Sequence, residues 1–151
     1  MNIRPYRSSF ICYVVGAQAS ESVITQYLMG AGYKPLCFPS MAAAKVAFSD
    51  TPCHQLFLII DDSRNNLEVD EFIHFIQKIS EETHIHLICP RDSLSSQYQV
   101  FGQRVYDILP FPLEHKSQLI RAADRASETD FHLYKQEELE ASLNSKNENQ
   151  E

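Results

Sequence analysis

Short apolar runs alternate along the chain with longer amphipathic stretches, and the two patterns predict different elements. Five runs of five or six residues carry mostly apolar side chains, as strands buried in a sheet do. These predicted strands are residues 11–15, 33–38, 56–60, 85–89 and 105–109. Between and after them, apolar residues recur at helical spacing. The predicted helices are residues 20–29, 41–48, 69–79, 93–101 and 113–126.

Strand and helix alternate five times, and this order predicts an α/β fold. The expected architecture is a doubly wound, five-stranded parallel sheet with helices on both faces, a flavodoxin-like arrangement over residues 9–126. Residues 56–60 are apolar at every position, which favours a central strand that is covered on both faces.

The carboxyl-terminal part of the chain differs in character from this predicted domain. Residues 127–151 contain seven carboxylates, and we interpret them as an acidic extension of the last helix or as a disordered tail. The polar residues 144–151 favour disorder. Apolar residues between 131 and 143 would allow a longer helix, but their spacing is too irregular for a coiled coil.

Composition limits the classes of partner and the compartment. The 151 residues suffice for one domain, and the formal charge of −7 argues against general binding to nucleic acid or to anionic membranes. No stretch is long and apolar enough to cross a bilayer, and the first ten residues lack the core of a signal peptide, so we expect a cytoplasmic protein. The cysteines form no CxxC pair and are interpreted as reduced thiols; they are Cys12, Cys37, Cys53 and Cys89.

Two carboxylates, Asp61 and Asp62, follow the third predicted strand. Ligands of open α/β sheets bind at the carboxyl ends of strands, so a site is expected here. Further along, residues 101–111 read Phe-Gly-Gln-Arg-Val-Tyr-Asp-Ile-Leu-Pro-Phe, and residues 30–33 read Gly-Ala-Gly-Tyr. Together these features resemble the receiver domain of bacterial two-component response regulators, roughly over residues 9–126.

The resemblance implies a role for each matching position. Asp61 takes the place of the phospho-accepting aspartate, and Tyr106 takes that of the switch aromatic. Pro110 and Phe111 match the last two positions of a Lys-Pro-Phe segment.

The positions that would neutralise a phosphoryl group depart from the family pattern. Gly16 and Ala17 stand where receivers carry an acidic pair that holds Mg²⁺. Cys89 replaces the phosphoryl-sensing Ser or Thr, and Leu109 replaces the lysine. Phosphoryl transfer needs its negative charge balanced, usually by a divalent ion and a fixed cation. The resemblance is therefore to a degenerate receiver, or pseudo-receiver, in which we interpret Asp61 as a strand-end carboxylate.

Two pairs of residues have the chemistry of metal ligands, and neither completes a site. Adjacent residues on a strand point to opposite faces, so Asp61 and Asp62 would not chelate one ion unless the strand has ended before them. His84 and His86 share a face of the fourth strand, but no third ligand is evident. We expect two histidines at the solvent edge, with no metal and no cofactor.

The leading hypothesis is a non-catalytic binding module of bacterial signal transduction. The resemblance implies docking to another signalling protein, or to a second copy as a homodimer, through the fourth helix, the fifth strand and the last helix. Tyr106 and Asp107 would lie near the centre of that face. One alternative is a phosphorylatable receiver that uses Asp61, and another is a sensor of a nucleotide second messenger with Arg91 or Arg104 on its phosphate. No nucleophile, base and oxyanion donor can be assembled, which argues against an enzyme.

Overall fold

The structure, a computed structural model, describes residues 2–61 and 66–148, apart from the side chains of residues 133, 134, 137 and 144–148. The strands are β1 (Cys12–Val15), β2 (Pro35–Phe38), β3 (Gln55–Ile59), β4 (His84–Pro90) and β5 (Asp107–Phe111). The helices are α1 (Val23–Gly30), α2 (Met41–Asp50), α3 (Asn66–Ile79), α4 (Leu94–Phe101) and α5 (Lys116–Glu148). All strand pairs are parallel, in the order β2-β1-β3-β4-β5, which confirms the predicted doubly wound sheet.

β3 lies at the centre of the sheet, as its unbroken apolar sequence predicts. Successive side chains on a strand point to opposite faces, so this strand contributes to two separate cores. Leu56 and Leu58 join the core under α2, α3 and α4, where Phe72 of α3 is completely buried. Phe57 joins the core on the other face, which α1 and α5 cover with residues such as Leu119.

Serine caps mark where the first two helices begin. The Ser40 hydroxyl accepts a hydrogen bond from the Ala43 amide at 3.1 Å, as the sequence predicts for the start of α2. Ser22 caps α1 in the same way, so this helix begins at Val23 rather than at residue 20. A 3-10 turn, Ala19–Glu21, occupies the residues before it.

β5 begins two residues later than predicted. The strand runs from Asp107 to Phe111, so Tyr106 precedes it, although the Tyr106 amide still donates to the Ile85 carbonyl at 2.8 Å. Pro110 lies within the strand and has no N–H group to pair. This is tolerated because β5 is an edge strand with one paired side.

α5 continues well past the predicted domain boundary at residue 126. It has 33 residues and is therefore about 50 Å long at 1.5 Å per residue. Residues 127–148 thus have the helical form, one of the two forms considered for this segment, and residues 149–151 lie outside the described part. Within the described ranges, α5 and every other helix is too short or too polar to span a membrane.

Candidate functional site

Cavities open at the carboxyl ends of β1 and β3, the edge of the sheet where the sequence predicts a site. Two adjoining cavities of about 190 and 500 Å³ share Gly16, Ala17 and Asp61 in their walls. β3 ends at Ile59, so Asp61 lies past the strand, where its side chain is exposed. Asp62 lies outside the described residues, and so does the prediction that the two aspartates point apart.

Two further carboxylates border these cavities and were not identified from the sequence. Glu68, in the first turn of α3, lines the smaller cavity, and Glu21, in the 3-10 turn before α1, lines the larger. Neither residue follows a strand directly, so strand-end reasoning gives no signal for them. Among residues 2–61 and 66–148, these carboxylates and Asp61 do not come together as a set of three metal ligands.

Two residues of the predicted pocket, Cys89 and Leu109, do not line these cavities. Cys89 is completely buried in the core under α2, α3 and α4, and burial raises the pKa of its thiol. Leu109 packs into the core on the opposite face. The side chain that reaches the larger cavity from β5 is Phe111, because β5 extends two residues further than predicted. Pro112, which cannot continue a ladder, is the sequence signal that would have placed the strand end at Phe111.

Tyr106 and Asp107 lie at the opposite end of the sheet from Asp61. Asp107 is the first residue of β5, and Tyr106 comes just before it. The Tyr106 ring meets the His84 ring edge to face, with 4.8 Å between the ring centroids. Burial and the neighbouring Asp107 carboxylate raise the pKa of the Tyr106 hydroxyl.

The expectation of solvent-edge histidines is wrong for His86, which is completely buried. Its ring stacks on Phe57 with 4.2 Å between centroids, and its Nε2 atom lies 2.9 Å from Gln55 Oε1. Its Nδ1 atom lies 2.6 Å from Asp107 Oδ1. An ionised carboxylate only accepts hydrogen bonds, so Nδ1 is the donor. The face that His86 shares with His84 points into the molecule, under α5.

A chain of polar side chains continues from His86 beneath α5. Gln55 Nε2 donates to Ser127 Oγ at 3.0 Å, and Ser127 Oγ lies 3.2 Å from the Tyr33 hydroxyl. The Tyr33 hydroxyl donates to Asp124 Oδ1 at 2.6 Å, and Arg7 Nη2 pairs with Asp124 Oδ2 at 2.7 Å. These residues are far apart in the sequence, so the contacts between them are visible only in the folded chain. Gln55, next to the predicted buried strand of residues 56–60, is the one local signal of an internal polar contact.

His84 faces Asp130 of α5 without forming a hydrogen bond to it. Its Nδ1 atom lies 3.7 Å from Asp130 Oδ1, which is beyond hydrogen-bond distance. Asp124, Ser127 and Asp130 are spaced three residues apart, so they form one polar face of α5 directed at the sheet.

No protein-family model matches this sequence, and no curated protein matches it. Solved structures do match. NtrX from Brucella abortus in complex with ADP gives a TM-score of 0.71 at 20% identity over 86% of this chain, which spans 29% of the NtrX chain. A response regulator receiver domain protein from Clostridium thermocellum gives 0.69 at 14% identity, covering 82% of this chain and 98% of its own. The receiver domain of NtrC4 from Aquifex aeolicus gives 0.61 at 20% identity, covering 78% and 97%. The chain therefore has the receiver-domain fold.

Proposed function

We propose that this chain is a phosphorylation-independent receiver-like module, a pseudo-receiver, that acts in bacterial signal transduction by binding protein partners. The observation that carries this proposal is the composition of the Asp61 pocket. Gly16 and Ala17 offer no carboxylate to a metal ion, and Phe111 offers no cation to a phosphoryl group. Among the described residues that line the Asp61 cavities there is no lysine or arginine to balance the charge of a phosphoryl group on Asp61.

A titration with Mg²⁺ and beryllofluoride, which mimics a phosphoryl group, tests this proposal. We expect the amide resonances of Gly16, Ile59 and Asp61 in a proton–nitrogen NMR spectrum to stay unchanged. The matched control is Asp61→Asn, which removes the acceptor carboxylate from an exposed position. Saturable shifts in the wild type that vanish in Asp61→Asn would overturn the proposal and identify a phosphorylatable receiver.

Exposed apolar side chains support a docking face formed by α4, β5 and the start of α5. Tyr98 and Val100 of α4 are 52% and 49% exposed, and Tyr106 and Phe111 lie exposed at the two ends of β5. Exposed apolar side chains that are gathered on one face mark interaction sites in proteins. We propose that another signalling protein or a second copy of this chain covers this face.

Sedimentation velocity over a range of concentrations tests the second copy as the partner. We expect Val100→Arg to shift the protein toward monomer, because a charged side chain at the centre of a contact disfavours the complex. Val46→Arg is the matched control, since Val46 of α2 is 71% exposed and lies away from the proposed face. Equal sedimentation of both variants would exclude self-association through α4. If the wild type is monomeric at every concentration, the second copy is excluded as the partner, and the proposal is left with a different signalling protein.

One observation favours the alternative of a phosphorylatable receiver. Glu21 shares the larger cavity with Asp61, and carboxylate oxygens are what Mg²⁺ prefers. The nucleotide-sensor alternative has less support. The guanidinium groups of Arg91 and Arg104 pair with Glu114 and Asp70, and neither arginine lines the Asp61 cavities.

A further inference from the structure

Polar contacts at three positions hold α5 against the rest of the molecule, and the third contact is incomplete. Asp124 forms an ion pair with Arg7, and Ser127 accepts a hydrogen bond from Gln55. Asp130, the next residue on the same face, has His84 as its counterpart at 3.7 Å.

Each member of the third contact has one buried polar atom without a hydrogen-bond partner among the described residues. The His84 and Asp130 side chains are only 16% and 10% exposed. His84 Nδ1 and Asp130 Oδ2 have no hydrogen-bond partner among the described residues. Buried polar atoms are rarely left unpaired, because each loses its hydration without a replacement. A shift of less than 1 Å would bring the ring nitrogen and the carboxylate within hydrogen-bond distance.

We propose that His84 and Asp130 form a proton-operated latch that holds α5 where it leaves the sheet. A proton on His84 Nδ1 supplies both the missing donor and a positive charge opposite the carboxylate, and the latch closes. The neutral ring lacks that positive charge, and in its Nε2–H tautomer the Nδ1 lone pair faces the carboxylate oxygen, so the contact is weaker and the latch opens. This inference concerns the opposite end of the sheet from Asp61 and does not depend on how that pocket functions.

The surroundings of the latch favour the protonated histidine. Carboxylates outnumber cations among the titratable and charged groups that face His84 from the α3–β4 connection, the α4–β5 connection, β5 and α5. These groups are Glu81, Glu82, Arg104, Tyr106, Asp107 and Asp130. Burial lowers the pKa of His84, but the Asp130 carboxylate and the His54 carbonyl raise it, and the net shift is upward. The latch is therefore fully closed below the ordinary histidine pKa, and it opens as the pH rises through the raised value.

The latch sits at the base of the part of α5 that extends from the sheet. The Phe131 ring, next to Asp130, contacts Tyr6 at 4.8 Å between centroids. Beyond it, α5 continues to Glu148, and Leu139 and Leu143 on this extension are exposed. An isolated polar helix of this length is marginal in water, so the anchoring of its base controls how well it is ordered.

Hydrogen exchange measured by mass spectrometry tests the latch in the full chain. After correction for intrinsic exchange rates, we expect protection of the amides from residue 124 to residue 136 to fall at least about tenfold between pH 6 and pH 8.5, as expected for one charged hydrogen bond. Asp130→Asn removes the charge and should abolish this dependence on pH. His132→Gln, which removes an exposed histidine from the same helix, should retain it.

The pH dependence, rather than absolute protection, is the readout, because Asp130→Asn also alters packing. NMR titration of the His84 ring in the wild type gives an independent measurement. Its midpoint should coincide with the loss of protection, and it should fall in Asp130→Asn. Protection that does not change with pH, or that changes identically in Asp130→Asn, would overturn the latch.

Discussion

The substitution Tyr33→Phe tests whether polar contacts anchor α5. Tyr33 is buried, and its hydroxyl donates to Asp124 Oδ1 at 2.6 Å. Removing the oxygen leaves no large cavity, and Asp124 still accepts hydrogen bonds from Arg7 at 3.0 and 2.7 Å. Ser127 also keeps its bond from Gln55. The loss is therefore one hydrogen bond to a charged acceptor, about 2 kcal/mol of the free energy of unfolding.

Urea unfolding followed by circular dichroism measures this free energy directly. For a chain of 151 residues, a loss of about 2 kcal/mol corresponds to a melting temperature lower by about 4–8 °C. Tyr27→Phe is the matched control, because Tyr27 of α1 is only partly buried and the same hydroxyl is removed. The reasoning is refuted if Tyr33→Phe and Tyr27→Phe unfold at the same urea concentration.

Three further substitutions or reactions have expected outcomes. His86→Leu keeps the side-chain volume but removes the hydrogen-bond donor to the partly exposed Asp107 carboxylate. We expect the free energy of unfolding, measured in urea, to fall by about 2–3 kcal/mol. An unchanged urea midpoint would mean that the His86–Asp107 pair does not contribute to the stability of the fold. Gly102→Ala should lower the free energy of unfolding by about 1–3 kcal/mol, because a Cβ there would lie 2.5 Å from the Tyr98 carbonyl oxygen, which accepts from the Gly102 amide. In thiol labelling of the native protein followed by mass spectrometry, Cys37 should react first, because the other three cysteines are buried. Equal labelling of all four would contradict the described core.

The sequence predicted the sheet because its strands are short, separate and almost wholly apolar. The central place of β3 followed from residues 56–60 alone. The start of β5 was placed two residues too early, because the apolar pattern around Val105 continues through Leu109 and Phe111. The residue at the carboxyl end of β5 is therefore Phe111, which lines the pocket, whereas Leu109 packs into a core, so an error of two residues in a strand end changes a predicted site.

The polar network under α5 escaped prediction for a different reason. His86 is one position from Ile85 on a strand, and its sequence neighbours give no sign of Gln55 or Asp107. Only the parallel register, which places Asp107 beside His86, brings the pair together. Long-range hydrogen bonds of this kind depend on the topology, whereas the apolar pattern depends on neighbours in the sequence.

The length of α5 gives small motions at its base a large effect at its tip. A straight helix is a stiff rod, and the 18 residues that follow Asp130 up to Glu148 extend it by about 27 Å. Tilting that rod by about 10° at Asp130 would carry its far end through about 5 Å, a distance close to one helical turn. A side-chain adjustment of less than 1 Å beside His84 can therefore accompany a much larger displacement at the far end of α5. That displacement is large enough to change which surface the far end of α5 contacts.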